Sequence, residues 1–417
     1  MVQGRVDGST RKLVTEQVEK LRAKVLSRAL TLHPEQTARP VWGWPQFDKY
    51  ACSFLLTLPS PSTFLPSRLF REAMASHLFL PSPICQGRLG QPTGYNDRQG
   101  NPTVVDTFGD VVMSTTLCHD TWRTRHNDVQ RALVAKACEA RVEVDAEVIG
   151  LFRGVIPDQA LAPGGDLETR RQRNGCIPDL QLGFQVELDP RPADYHPRPG
   201  RRPAVPQPGQ PDPAPPPPPR QVQRAIVNGE TTRYLAELKI CSAGPSRYPR
   251  GLGSSRDKAV NRRARALPAE YRLKLSTIDA RYSGTRPGEV GPCVARLQGF
   301  GEILQLVVGA FGEASTDLDR TITALAESRV LFLSRESGKP ITDGWRSIVL
   351  GQYRRYFSAL FVRAQAACLT ARVGHLGEGA QEVAGRRRDI MAQEERSRRE
   401  AEAYHAAYVR GRARRMF

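Results

Sequence analysis

Three charged side chains stand where a buried strand should carry none. Asp179 lies in Cys176-Ile177-Pro178-Asp179-Leu180-Gln181-Leu182, and Glu237 and Lys239 lie in Arg233-Tyr234-Leu235-Ala236-Glu237-Leu238-Lys239-Ile240. Both segments alternate or run apolar in the manner of strands with one or both faces covered. Burying an isolated carboxylate is expensive, so these acids must meet a cation, a hydrogen-bond network or solvent at a strand end. Glu237 and Lys239 are two residues apart, which on a strand turns them to the same face. Two carboxylates offer hard oxygen ligands to Mg²⁺ or Mn²⁺. A lysine beside them orients or deprotonates a water. The set points to metal-assisted phosphodiester hydrolysis.

The flanking pattern predicts what positions them. A helix is expected over 121–141, with Thr121 as its cap and Val129, Leu133, Val134, Ala137 and Cys138 as its apolar stripe. Arg125 and His126 fall in its first turn. A basic pair there opposes the helix dipole, and it reads equally as a phosphate contact or as surface capping. Alternation of Val142, Val144, Ala146 and Val148 with acidic residues makes 141–152 strand-like. A loop over 157–174 carries a rival Pro157-Asp158 pair outside any apolar strand. Between the two acid-bearing strands, residues 190–220 hold a large share of the chain's 33 prolines and end in Pro215 to Pro219, so they read as a polyproline or disordered insert. After Lys239 come Arg247, Arg250, Arg256, Lys258, Arg262, Arg263 and Arg265, in a basic loop leading into a helix over 255–280. They read either as phosphate contacts or as a solvated face. A strand is expected within 300–311 after a turn near Gly291-Pro292, then a helix over 317–328 capped by Ser315.

Helix, strand, strand with Asp, strand with Glu-X-Lys, helix, strand, helix is an order with a known parallel. With Pro178-Asp179 and Glu237-Leu238-Lys239 it resembles the PD-(D/E)XK, or restriction-endonuclease-like, nucleases. The run Cys85, Gly109-Asp110, Cys118, then Arg125-His126-Asn127-Asp128-Val129, then Pro178-Asp179, resembles the endonuclease region downstream of the reverse transcriptase in non-LTR retroelement proteins. The likeness spans roughly residues 40–330. It implies an α/β fold: a restriction-endonuclease-like core, a central mixed sheet flanked by helices, with helical N- and C-terminal extensions. The expected divisions are a helical region over 1–80, a degenerate zinc-knuckle-like loop over 81–120, the core over 121–330 and a basic helical region over 331–417. The likeness makes Asp179, Glu237 and Lys239 catalytic. Asp179, Glu237 and the Leu238 carbonyl would be the Mg²⁺ (or Mn²⁺) ligands, and Glu139 a further acidic ligand unless it is simply solvated. The zinc knuckle departs from the family: only Cys85, Cys118 and His119 are at hand, and tetrahedral zinc needs four donors. The implied function is a metal-dependent DNA endonuclease that nicks a target site. The alternative is a decayed remnant that binds nucleic acid, DNA or RNA, without turnover.

Composition fits a polyanionic partner. The chain of 417 residues carries 61 Lys and Arg against 43 Asp and Glu, a net charge of +18. Codon bias in a GC-rich genome is the competing explanation. Eight cysteines without disulfide spacing predict a reducing compartment, nuclear or otherwise intracellular. No apolar run reaches membrane-span length, so no membrane partner is expected. An amphipathic helix is expected over 9–30, an aromatic cluster of Trp42, Trp44, Phe47 and Tyr50 reads as local core, and residues 345–384 and 386–417 read as helical, the latter charged and exposed.

Overall fold

The structure is a computed structural model. It describes residues 49–376, except 58–59, 61–62, 79, 97–98, 115–120, 147–148, 153, 157–177, 187, 190–230, 243–255, 287–288 and 301–302, together with Gly385 and Ala392. The expected helix over 9–30, the residues Trp42, Trp44 and Phe47, the Pro157-Asp158 pair and the proline-rich insert lie outside the described residues. So do Cys118, His119, Arg247, Arg250 and, apart from Ala392, all of 386–417.

The helices are α1 (Lys49–Ser53), α2 (Ser67–Leu78), α3 (Asp110–Ser114), α4 (Thr121–Glu139), α5 (Arg256–Ser283), α6 (Pro292–Gln298), α7 (Thr316–Ser337) and α8 (Asp343–Gly374). The strands are β1 (Pro92–Asn96), β2 (Pro102–Val104), β3 (Glu143–Ala146), β4 (Leu180–Phe184), β5 (Thr232–Ile240) and β6 (Leu304–Val308). β1 and β2 form a small antiparallel hairpin inside the segment expected to be loop. The other four form one mixed sheet in the order β3-β4-β5-β6, antiparallel across the first two seams and parallel between β5 and β6. Parallel pairing requires a long crossover, which α5 and α6 supply.

Helices cover both faces of this sheet. On one face Leu180, Leu182, Phe184, Ala236, Leu238, Leu304, Leu306 and Val308 pack against α4, α7 and α8. Val129, Ala132, Leu133 and Ala137 form the α4 stripe there, at helical spacing. On the other face Leu235 meets Tyr271 and Leu275 of α5 and Cys293, Val294 and Leu297 of α6. Val307 meets Val260, Ala264 and Leu267 of α5. β5 is therefore covered on both sides over 235–238, which explains its nearly continuous apolar run. The expected α/β class and central mixed sheet flanked by helices hold.

Local chemistry sets the ends of these elements. Ser315 caps α7 by accepting the Leu318 amide at 3.3 Å, as expected, and Gly338 closes the helix with φ of 65°. Arg141 takes a left-handed φ of 60° just past α4, where the Val142 amide reaches back to the Ala137 carbonyl at 2.9 Å and turns the chain into β3. Thr121 departs from its expected role. It opens α4, and its hydroxyl accepts from Arg372 of α8 at 3.0 Å. Asp279, fully buried on α5, receives the Cys293 and Val294 amides at 2.8 and 3.1 Å and so satisfies the start of α6.

The seam between β4 and β5 has two distinct ends. Phe184 pairs with Thr232 at one, and Leu180 pairs with Ala236 near the other. The chain from 185 to 231 leaves and returns at the Phe184 end, about 14 Å of strand from Leu180.

Candidate active site

Extending the β4–β5 register one step beyond Leu180 and Ala236 sets Asp179 opposite Glu237. Residues directly opposite on antiparallel strands share a face. Lys239 lies two residues along β5 on that face. The three residues singled out in the sequence therefore meet at one end of the sheet.

Each carboxylate is anchored through one oxygen. Asp179 Oδ2 accepts the Leu238 amide at 2.7 Å and lies 3.4 Å from His126 Nε2. Glu237 Oε1 accepts the Lys239 ammonium. Glu237 Oε2 is buried and has no partner among the described residues. The Glu237 side chain is 5% exposed, Lys239 30%, and Asp179 and His126 18% each. Solvent thus reaches the site from the Asp179 and Lys239 side.

The electrostatics follow from this packing. Burial, and then the Asp179 charge, push the Glu237 carboxyl up to about 7 against the partial relief offered by Lys239. Burial alone would raise Asp179, but His126, Lys239 and the Leu238 amide outweigh it and hold that carboxyl below its ordinary range. Burial works against the Lys239 charge, yet Glu237 and Asp179 together raise its pKa, so it stays an ammonium near neutrality. It is a fixed positive charge at this end of the sheet and not a proton acceptor. His126 is likewise raised, burial being overcome by the Asp179 carboxylate.

α4 contributes more than its sequence announced. His126 Nε2 also lies 3.2 Å from the Leu238 carbonyl. One turn on, Gln130 Nε2 donates to the Asp179 carbonyl at 2.8 Å. Gln130 was not singled out in the sequence; the clue was a polar residue set i+4 from His126, beside the apolar stripe. Arg125 corrects the phosphate-contact and surface-cap readings alike. It is buried, donating to Gln365 Oε1 at 2.6 Å and to the Ile240 carbonyl at 3.4 Å. Gln365 Nε2 in turn donates to the Cys241 and Gly309 carbonyls, each at 3.0 Å. This network ties α4 and α8 to the ends of β5 and β6.

Other expected residues sit apart. Glu139 is at the far end of α4, paired with Lys136 at 2.5 Å and 3.7 Å from Arg329, so it is a surface ion-pair residue and no ligand of this site. Arg263 faces the site closely enough to oppose the Lys239 charge, but its guanidinium is committed to Glu270, at 3.0 Å for the second contact. Arg262 is exposed on α5, which also carries Arg256 and Lys258. Cys85 is packed with Val105, Val112, Leu369 and Val373. Its thiol is pushed up to about 11 by burial, the opposite of the thiolate a zinc site needs. Gly109 serves that packing: at φ of 74°, a Cβ there would lie 2.7 Å from Leu369 and 3.0 Å from Cys85 Sγ.

Among the described residues no three His, Cys, Asp or Glu side chains form a metal cage. Mg²⁺ does not demand one, since it is commonly held by one or two carboxylates with waters completing its shell. The donor set here, a partnerless buried carboxylate oxygen opposite an ionised carboxylate, fits such an ion. The Leu238 carbonyl, expected as a third ligand, faces the His126 imidazole instead. A cavity lined by Glu72, His77, Asp110, Phe311, Gln365 and Leu369 shares no residue with this site. No helix among the described residues is long and apolar enough to cross a membrane. No family model, curated protein or solved structure matches this chain.

Proposed function

We propose that this protein is a metal-dependent endonuclease that hydrolyses phosphodiester bonds in DNA, built on a restriction-endonuclease-like core and derived from a retroelement. The observation that carries this reading is the pairing of Asp179 with Glu237 across β4 and β5, with Oε2 of the buried Glu237 left without a partner. A buried carboxyl raised to about 7 is costly at neutral pH unless a cation neutralises it. The sheet supports the same reading. A helix, three antiparallel-linked strands, a crossover and a fourth strand parallel to the third make up the order expected of that core.

Asp179 and Glu237 would hold Mg²⁺ or Mn²⁺, which when bound supplies Lewis-acid stabilisation of the phosphoryl oxygens. Glu237 Oε1 and Asp179 Oδ2 stay fixed by Lys239 and the Leu238 amide, so the carboxylates need little reorganisation. The Lys239 ammonium, part exposed, orients the attacking water and offsets charge growing on the phosphate. Arg262, with Arg256 and Lys258 on the same helix, supplies phosphate contacts that carry no sequence information.

A second reading, a DNA- or RNA-binding remnant without turnover, is favoured by the packed, protonated Cys85 where the family has a zinc ligand. Purified protein with supercoiled plasmid and Mg²⁺ separates the two. Nicking that disappears in Asp179→Ala and Lys239→Ala supports the enzyme. Intact plasmid, or nicking that survives both substitutions, rejects it.

A further inference from the structure

His126 sits where one helix grips Asp179 twice. From α4, Gln130 holds the Asp179 main-chain carbonyl at 2.8 Å, and one turn earlier His126 Nε2 lies 3.4 Å from Asp179 Oδ2 and 3.2 Å from the Leu238 carbonyl. Both oxygens are acceptors, so Nε2 carries the hydrogen. Nδ1 faces Asn127 Oδ1 at 3.3 Å. Among the described residues, every side-chain contact of Asp179 falls on Oδ2, from His126 and from the Leu238 amide. Oδ1 is thereby kept for a ligand.

We propose that His126 is a positioning residue: its Nε2–H, with the Leu238 amide, locks one oxygen of Asp179 so that the other is presented beside Glu237 to a divalent cation. The inference rests on the nuclease reading and deepens it. A carboxylate on the residue before a strand has two torsions to fix. The amide alone leaves it free to swing about one bond, whereas donors from β5 and α4 arrive from different elements and fix both. Partners of this kind behind a metal-binding carboxylate typically carry a 10–100-fold effect on metal affinity or activity.

The test exploits the different reach of two amides. Glutamine places an N–H near the position of Nε2, while asparagine reaches only to that of Nδ1. Mn²⁺ binding to the full chain is followed by electron paramagnetic resonance for wild type, His126→Gln and His126→Asn, with plasmid nicking in parallel and circular dichroism to verify folding. His126→Asn is expected to bind Mn²⁺ at least 10-fold more weakly and to lose kcat with KM for plasmid unchanged. His126→Gln is expected to stay within about threefold of wild type, because it restores the donor. Equal Mn²⁺ affinity in all three folded proteins overturns the proposal, as does tighter binding in His126→Asn, which would make the imidazole a competitor of the cation. Wild type that binds no Mn²⁺ sinks the nuclease reading itself, and this inference with it.

Discussion

Asp179 and Glu237 face one another across an antiparallel seam although 57 residues separate them, because the Leu180–Ala236 pairing leaves them as the next opposed pair. One carboxyl is held ionised by donors from α4 and β5, while its neighbour is pushed up to about 7. That asymmetry makes the site measurable before any substrate is known.

Glu237 should cost the fold stability at alkaline pH. Below about pH 4.5 the carboxyl is protonated in folded and unfolded chains alike, and its contribution is fully present. As pH rises towards 7 the unfolded chain ionises first, and stability falls; above 7 the loss is complete. The shift corresponds to about 3 kcal/mol. Glu237→Gln should therefore match wild type at pH 4 and exceed it by about 1–3 kcal/mol at pH 8 in urea melts without divalent ions. Added Mg²⁺ should raise the stability of wild type only. Equal melts at pH 8 would contradict the burial argument.

Lys239 should matter to turnover and little to binding. Lys239→Ala is expected to lower nicking about 10²–10³-fold, as for loss of one charge-stabilising donor, with KM for plasmid unchanged. EDTA should abolish nicking by wild type. A rate insensitive to Lys239→Ala would remove this lysine from the chemistry, and one insensitive to EDTA would remove the metal.

Two arginines should separate folding from binding. Arg125→Met leaves Gln365 Oε1 and the Ile240 carbonyl without their donor inside the protein, and should cost about 2–4 kcal/mol in urea melts. The salt dependence of DNA affinity should stay as it was. Arg262→Ala, on the exposed face of α5, should act on binding instead, with a salt slope about 0.9 shallower. Filter binding across a salt series checks both.

Gly291 should tolerate no side chain. A Cβ there would lie 2.4 Å from Asp279, the carboxylate that receives the first amides of α6. Gly291→Ala is expected to cost about 2–3 kcal/mol through overpacking and a damaged cap. Nicking per folded molecule should not change, since neither residue contacts the site.

What could be read from the chain was what violates a local rule. Acids within apolar strands exposed Asp179 and Glu237, and the i+2 spacing added Lys239. The Ser315 cap and the α4 stripe were legible because each is a pattern within one element. The roles of Arg125, His126 and Gln130 were not, because their partners lie 112, 115 and 240 residues away or at Asp179. Only the crossing of α4 over the sheet decides that Arg125 points inward to Gln365 while His126 reaches Leu238. α6 was read as a turn because Gly291-Pro292 signals one as strongly as it signals a helix start. The β1–β2 hairpin was missed because its Pro, Gly and Asn content outweighs its few β-formers.

The Phe184–Thr232 end of the seam points away from the acids, so the stretch that joins β4 to β5 is attached where length is free to drift. A reporter protein or affinity handle spliced between 190 and 230 should leave cleavage intact, whereas the same cargo at 241–243, beside Ile240, should silence it. The architecture thereby separates a side on which the chain can grow from a side on which it must be held still.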